Sequence, residues 1–180
     1  MPAVTVWLDP GKTTGLASWD SRNDSFTSIQ ASDLVTVGNW IEMLILVNDS
    51  EMAEDSDDND DDDGTGLRIE IGWEKFVTTP GTVRHGGKPD WSLEVIGVAR
   101  YLAVKHGLSI LPPQMSSMMA IATDERLRLV GWYRPGKQHA NDAARHLFRY
   151  LVVTGRLPAD LHRKAFPLTG EPEEKRGGNR

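Results

Sequence analysis

The segment Val4–Trp19, VTVWLDPGKTTGLASW, contains the pattern that decides the fold of this chain. Its first residues, Val4–Leu8, are apolar and rich in β-branched side chains, and a Pro-Gly pair ends the run, which predicts a buried strand. After that turn the apolar pattern resumes over Leu16–Trp19 as a second strand. The segment therefore predicts two neighbouring strands, with Asp9 at the end of the first.

The turn between these strands invites two other interpretations. Gly11-Lys12-Thr13 matches the end of a phosphate-binding P-loop, but that motif requires a glycine five residues before Gly11, where Val6 lies inside the strand. The P-loop interpretation therefore fails. A carboxylate that only caps its own Asp-Pro-Gly turn remains an alternative for Asp9.

Beyond this segment, strand and helix patterns alternate along the chain. Further strands are predicted over Phe26–Ala31, Leu67–Glu74 and Leu108–Leu111. Helices are predicted over 33–47, Trp91–His106, Ser116–Thr123 and Ala140–Thr154, with Leu93, Ile96, Ala99, Tyr101 and Leu102 on the core side of the second. This order indicates an α/β domain built on a mixed five-stranded sheet flanked by helices.

The net charge of −6 hides an uneven distribution of charge. Nine acids and no base lie within 51–63, and without them the chain has 20 basic and 17 acidic residues (26 minus 9). We expect an acidic insert, 51–65, to be a disordered loop within one domain, 1–166, followed by a flexible tail, 167–180. The final third, 126–180, has 12 basic and 5 acidic residues, which fits a polyanionic partner.

The composition excludes several classes of protein. No apolar run approaches the ~20 residues of a membrane span, and the first residues, MPAVTVW, contain no basic leader. The absence of cysteine excludes disulfides and thiolate zinc sites. We therefore expect a cytoplasmic protein without a membrane partner.

Four residues outside the acidic insert lie where chemistry is expected. Asp9 and Glu74 each follow an apolar strand, and ligands gather at the carboxyl ends of strands in sheets of this class. His139 and Asp142 occupy positions i and i+3 near the start of a helix and share one of its faces. Carboxylates held close together need a counter-charge, commonly a divalent cation with oxygen ligands. A helix-dipole role for Asp142 and a surface role for His139 remain alternatives.

Glu70 is an alternative to Glu74 because it has the same parity in the strand, although it lies deeper. It is also the last residue of a twelve-residue stretch, 59–70, that approaches an EF-hand calcium loop. Asn59 takes the first ligand position in place of Asp, Gly66 takes the hydrophobic eighth position, and a strand follows instead of a helix. The sequence therefore favours Glu74 and disfavours a specific calcium site.

Taken together, these motifs resemble the RuvC family of Holliday-junction resolvases, which belong to the RNase H-like superfamily of nucleases. LDPGKTTGLA, the Glu in IGWEKF and H-x-x-D-A at the start of a late helix occur in the family's order over about Val4–Leu151. The resemblance implies an RNase H-like fold and a bacterial or phage crossover junction endodeoxyribonuclease. By position it implies that Asp9, Glu74 and Asp142 are metal ligands, and that His139 fills a place where relatives carry Asp or His.

The resemblance also implies a mechanism. Asp9 would bridge two Mg²⁺ ions, or Mn²⁺ in their place, roughly 4 Å apart, with Glu74 on one side and Asp142 and His139 on the other. Hydrolysis would leave 5′-phosphate and 3′-hydroxyl ends. Because a four-way junction is resolved by paired symmetric nicks, we expect a C2 homodimer, with its interface on the apolar side of Trp91–His106.

Contacts with branched DNA are expected from basic and aromatic residues near the site and in the basic final third. The loop Thr78–Lys88 is the candidate for reaching the crossover. A Met-rich segment, QMSSMMAIATDERL, replaces a segment in which relatives carry lysines. Relatives also carry an aromatic residue, which acts as a wedge in the DNA, just after the strand glutamate. Phe76 is the candidate here, although it lies one residue closer to that glutamate than in relatives. The candidate DNA-binding residues are Lys12, Lys75, Phe76, Arg84, Lys88, Arg134, Lys137, Arg145 and Arg149.

Two other functions fit parts of the sequence. A non-catalytic DNA-binding or packaging accessory on the same fold would use the basic surface alone, and it predicts that Asp9→Asn and Asp142→Asn leave every measured activity intact. An actin-like or sugar-kinase-like ATPase shares the D-x-G-x-T opening, but such proteins contain a second domain of this kind, for which 180 residues leave no room. The nuclease interpretation is the one that we favour.

Overall fold

The structure, a computed structural model, describes residues 4–54, 69–76, 90–115 and 120–167. Some predictions lie outside these residues. They concern most of the acidic insert, the loop that carries Arg84 and Lys88, the methionine-containing stretch 116–119 and the tail from 168 onwards.

Five strands form one mixed sheet in the order β3-β2-β1-β4-β5. They are β1 (Val4–Asp9), β2 (Thr14–Asp20), β3 (Ser25–Ala31), β4 (Ile69–Trp73) and β5 (Ser109–Ile110). β1 pairs antiparallel with β2 and parallel with β4, and β4 pairs parallel with β5. The prediction of an α/β domain with a five-stranded mixed sheet flanked by helices is confirmed at this level.

Five described helices accompany the sheet: α1 (Leu34–Glu54), α2 (Asp90–Lys105), α3 (Asp124–Leu129), α4 (Gln138–Val153) and α5 (Ala159–Ala165). The second and fourth of these begin and end within two residues of the predicted helices. In the described part of the chain, no helix combines the length and apolarity that a bilayer crossing needs.

Three helix predictions need correction. α1 continues through Glu54, so the first residues of the predicted acidic loop are helical; Glu, Met and Ala in this turn are strong helix formers. Thr123 begins a helix instead of ending one, because its hydroxyl accepts a hydrogen bond from the backbone N–H of Arg126 at 3.3 Å and caps α3. α5 was not predicted at all.

β1 divides the interior into two hydrophobic cores. Val6 and Leu8 pack with the buried faces of α1 and α2, whereas Trp7 packs under α4 with Leu147. This alternation follows from the two-residue period of a strand and puts Asp9 on the α4 side of the sheet. Each fully buried Leu or Val in these cores contributes about 1.5–3 kcal/mol to folding.

The apolar face of α2 is only partly covered. Ala99 and Leu102 are buried and Ile96 is half-buried, as predicted, but Leu93 is 54% exposed and Tyr101 is 65% exposed. The prediction that these two residues face the core is wrong. α2 packs against α1, β4 and β5, so residues turned away from these elements remain at the described surface.

Candidate metal centre

Two carboxylates meet where β1 and β4 end. Asp9 is the last residue of β1, and Glu74 directly follows β4. The backbone N–H of Glu74 donates to the carbonyl oxygen of Leu8 at 2.9 Å, which extends the parallel pairing of these strands by one residue. The two side chains lie close enough for a hydrogen bond between their carboxyl groups.

The first turn of α4 brings His139 and Asp142 to the same place. Lys137, the residue before the helix, provides no side-chain cap, and the side-chain oxygen of Gln30 on β3 accepts from the backbone N–H of His139 at 2.9 Å instead. The helix also lies directly on β2, because a Cβ on Gly15 would stand only 1.8 Å from the carbonyl oxygen of His139. A glycine and a glutamine on neighbouring strands therefore position this end of α4.

The resulting cluster is compact. Nδ1 of His139 lies 2.9 Å from Oδ2 of Asp9. One potential ligand atom from each of Asp9, His139 and Asp142 lies within 4.8 Å of the other two, and all three side chains are half-buried. Residues that are 130 positions apart in the chain thus meet at one edge of the sheet, as the sequence predicts.

The electrostatics of the cluster show strong competition for protons. Burial raises the pKa of Asp9 from its usual 3.8 to about 7; the hydrogen bond with His139 opposes this rise, and the carboxylates of Glu74 and Asp142 add to it. Burial also raises the pKa of Asp142, although Arg145 and His139 counteract that effect. With a pKa of about 7, Asp9 retains a proton up to near-neutral pH unless another cation replaces it.

These donors fit a divalent cation. Carboxylate oxygens suit Mg²⁺ and Mn²⁺, and an imidazole nitrogen is acceptable to Mn²⁺. Asp9, His139 and Asp142 are the residues whose atoms converge, with Glu74 beside Asp9. A bound cation would offset the burial and the mutual repulsion of carboxylates that raise these pKa values. The residues therefore fit the metal centre that the sequence predicts.

Comparison with known proteins finds no matching family model, no matching curated protein and no matching solved structure. The functional interpretation therefore depends on the sequence motifs and on the geometry of this site.

Arg145 links the cluster to α3. Its guanidinium donates to Oδ1 of Asp142 and also to Oδ1 of Asp124, the first residue of α3. The sequence predicts Arg145 as a DNA contact, and the structure places it in two ion pairs beside the candidate ligands. Arg134, another predicted contact, lies over the ring of Phe26 at 5.6 Å.

Other predicted DNA contacts are close in sequence to the residues of the cluster. Lys12 follows Asp9 by three residues, and the next lysine, Lys75, is adjacent to Glu74; both are exposed, as is Lys137 at the start of α4. Phe76 and Arg149 are half-buried.

His146 was not predicted as a site residue from the sequence. This residue is fully buried on α4, one turn beyond Asp142, and its Nε2 lies 3.6 Å from Oε2 of Glu74. The signal was present in the sequence, because His139, Asp142 and His146 follow the i, i+3, i+7 spacing of a single helix face.

Glu70 has a separate environment. Its carboxylate accepts hydrogen bonds from the hydroxyl of Thr5 at 2.9 Å and from Tyr150 at 3.3 Å, and it is paired with Arg156. The preference for Glu74 over Glu70 agrees with these contacts. Glu70 would have to be the last calcium ligand of an EF-hand loop, but these contacts already engage its carboxylate inside the protein.

Proposed function

We propose that this chain is a metal-dependent endonuclease that resolves four-way junctions and other branched DNA in a bacterial or phage-infected cytoplasm. The carrying observation is the convergence of Asp9, His139 and Asp142 ligand atoms within 4.8 Å, with Glu74 against Asp9. The order of the motifs and the mixed sheet support assignment to the RNase H-like superfamily, which includes the RuvC family.

Two divalent ions, when bound, supply activation of the attacking water and stabilisation of the leaving 3′ oxygen. The residues of the chain do the remaining work. Asp9 at the end of β1 and Glu74 just after β4 present carboxylates, and α4 brings His139 and Asp142 to the same place. Because the pKa of Asp9 is raised to about 7, metal binding displaces protons and strengthens as pH rises.

A cleft of about 450 Å³ beside the cluster is the candidate path for the DNA backbone. Its lining includes Tyr133, Lys137, Asn141 and Arg145, and the last of these contacts Asp142 directly. Asn141 is buried and clamps the preceding loop, accepting from the N–H of Arg134 at 2.8 Å and donating to its carbonyl at 2.9 Å. Lys137 is the exposed cation of this wall, whereas Arg145 is paired with Asp124 and Asp142, so a phosphate chain in the cleft would compete with these two acids for its guanidinium.

A homodimer would supply the paired cuts. Seven of the eleven large apolar side chains that are exposed in the described part of the chain lie on α1 and α2, which pack against each other. Exposed apolar residues concentrated on one helix pair are typical of an interface. We expect Leu46→Glu, which places a charge at a 67% exposed position on α1, to convert a dimer into a monomer in sedimentation velocity.

Cleavage of synthetic four-way junctions with Mg²⁺ or Mn²⁺ tests the proposal. The wild type is compared with Asp9→Asn, and Asp160→Asn, an exposed acid in an ion pair on α5, is the matched control. We expect symmetric, religatable nicks from the wild type and from the control, and a loss of at least about 1000-fold in Asp9→Asn. Linear duplex of the same sequence is the substrate control.

The outcomes separate the two candidate functions. Junction binding without cleavage in either metal, unchanged by Asp9→Asn, would favour the non-catalytic DNA-binding accessory. Cleavage of linear duplex as efficient as cleavage of the junction would support a nuclease but contradict junction specificity.

A further inference from the structure

A buried histidine nitrogen points at the candidate metal centre without a hydrogen-bond partner. His146 has no exposed surface, and its Nε2 is a buried polar atom for which the described residues provide no hydrogen bond. The nearest described carboxylate oxygen is Oε2 of Glu74 at 3.6 Å, just beyond hydrogen-bonding distance. An orphaned polar atom inside a protein is unfavourable, and its persistence beside a cluster of acids calls for a functional explanation.

Gln114 determines how the His146 ring is oriented. The amide nitrogen of Gln114 donates to the carbonyl oxygen of His146 at 3.3 Å, and a carbonyl can only accept. The side-chain oxygen of Gln114 therefore faces Nδ1 of His146, also at 3.3 Å, and Nδ1 must carry a proton to bond to it. Gln114 is itself tied to the strand extension that carries Glu74, since its backbone N–H donates to the carbonyl of Trp73 at 3.2 Å.

The ring is also held from its face. Trp7 stacks on His146 with a centroid separation of 6.1 Å and an interplanar angle of 16°. The indole fits there because Gly72 has no side chain; a Cβ at that position would stand 2.6 Å from the Trp7 ring. With Nδ1 donating to Gln114 and one face against Trp7, Nε2 is the ring atom that meets Glu74, and it donates to that carboxylate in the doubly protonated imidazolium form of the ring.

We propose that His146 is a positioning residue whose Nε2–H holds Oε2 of Glu74 and thereby fixes which carboxylate oxygen would be presented to a metal ion. The inference rests on the proposed function, because it assigns a role within the same site. A carboxylate ligand that can rotate binds an ion more weakly than one whose second oxygen is held by a hydrogen bond. Mutation of the hydrogen-bond partner of a metal ligand typically lowers metal affinity 10- to 100-fold. His146 acts through Glu74 and does not contact the substrate.

Two substitutions at position 146 separate this role from a structural one. A Gln side chain places its amide nitrogen near the position of Nε2 and can reach Glu74, whereas an Asn side chain places its amide nitrogen near Nδ1 and reaches only Gln114. We expect His146→Asn to weaken Mn²⁺ binding by about 10- to 100-fold, and His146→Gln to remain within about threefold of the wild type. Isothermal titration of the DNA-free protein with MnCl₂ measures this, and urea unfolding of the metal-free variants measures stability separately.

The outcomes distinguish failure of this inference from failure of the proposed function. If the wild type binds Mn²⁺ and the two variants match it, or weaken equally, the role of His146 is overturned while the metal centre stands. If the wild type binds Mn²⁺ no better than Asp9→Asn does, the metal centre and the role of His146 are both overturned. Weak binding by the Asn variant with recovery in the Gln variant supports the inference.

A measurement on the wild-type protein tests the role of His146 even if the two variants do not fold. In protein with ¹⁵N-labelled histidine, we expect saturation with Mg²⁺ to shift the ring resonances of His146. His106 lies beyond the end of α2 and is the internal control, because its ring also has a buried Nε2 without a hydrogen-bond partner among the described residues. Resonances of His146 that stay in place at saturating Mg²⁺ would overturn its assignment.

Discussion

Glu70 and Glu74 lie four residues apart along the same side of β4 and its extension, yet their surroundings differ completely. Glu70 is buried among donors: Arg156, Tyr150 and Thr5 all reach its carboxylate. Glu74 meets the carboxyl group of Asp9 and the ring of His146. The first carboxylate is compensated within the described protein, whereas the second belongs to a cluster in which acids repel one another.

This contrast shows how to separate structural acids from functional ones. A buried ion pair contributes little net stability, but removing one partner leaves a buried, unpaired charge and is strongly destabilising. A cluster of acids with raised pKa values weakens the metal-free fold and is retained where a cation or a reaction needs it. α4 spans both environments, since Tyr150 near its end contacts Glu70 and Asp142 near its start belongs to the cluster.

The largest expected effect comes from neutralising each glutamate in turn. Glu74→Gln should lower junction cleavage by at least about 1000-fold with little loss of stability, because a metal ligand is removed and acid repulsion is relieved. Glu70→Gln should lower the free energy of unfolding by about 3 kcal/mol, because Arg156 loses its counter-charge, while cleavage per folded molecule is retained. Single-turnover cleavage and urea unfolding of both variants measure the two effects. Loss of cleavage in both, with equal stability, would remove the distinction between the two acids.

A substitution on β2 should displace only the end of α4 that carries His139 and Asp142. Gly15→Ala puts a methyl group where the backbone of His139 lies, so we expect α4 to lift from β2, with about 3 kcal/mol of destabilisation and a loss of Mn²⁺ affinity. Gly97→Ala on α2 is the matched control: its Cβ would enter open space in a helix, which predicts a gain of up to about 1 kcal/mol. Thermal unfolding and Mn²⁺ titration measure the pair. Wild-type metal affinity in Gly15→Ala would contradict the placement of α4.

The pH dependence of the metal-free protein tests the repulsion itself. Because the pKa of Asp9 is raised to about 7, the folded state holds a proton that the unfolded state has released above about pH 4. Stability should therefore fall between about pH 4 and pH 7, by about 4 kcal/mol, and Asp9→Asn should remove most of that loss. Urea unfolding at intervals across this range, in the presence of EDTA, measures it.

Asp33 is a control because its pKa is shifted in the opposite direction to that of Asp9. Hydrogen bonds from Thr36 lower the pKa of Asp33, so its contribution is present above the usual Asp range and is lost as the pH falls below it. Asp33→Asn should change the acid limb of the profile and leave the slope above pH 4 intact. A wild-type profile that is flat or rises between pH 5 and pH 7 would contradict the raised pKa of Asp9.

The acids of the candidate site were predictable from sequence, whereas the residues that position them were not. The strand ends and the helix spacing were sufficient to select Asp9, Glu74, His139 and Asp142, because period-two and period-3.6 patterns determine which residues share an edge or a face. His146 obeys the same period but was missed, because the spacing shows which helix face it shares and not which residue its ring meets. Gln30 and Gly15 were unpredictable in a stronger sense: they act through contacts with residues more than a hundred positions away.

Gln30 gives the smallest and most specific effect. Its side-chain oxygen is the acceptor for the N–H of His139, so Gln30→Met should leave that donor unpaired, lowering stability by about 1 kcal/mol and Mn²⁺ affinity a few-fold. Gln30→Glu retains an acceptor and adds a negative charge near the start of α4, so stability should recover. The added carboxylate also approaches the acid cluster, which should make its benefit larger with Mn²⁺ than with EDTA. Equal behaviour of the Met and Glu variants would show that α4 is positioned by packing on Gly15 alone.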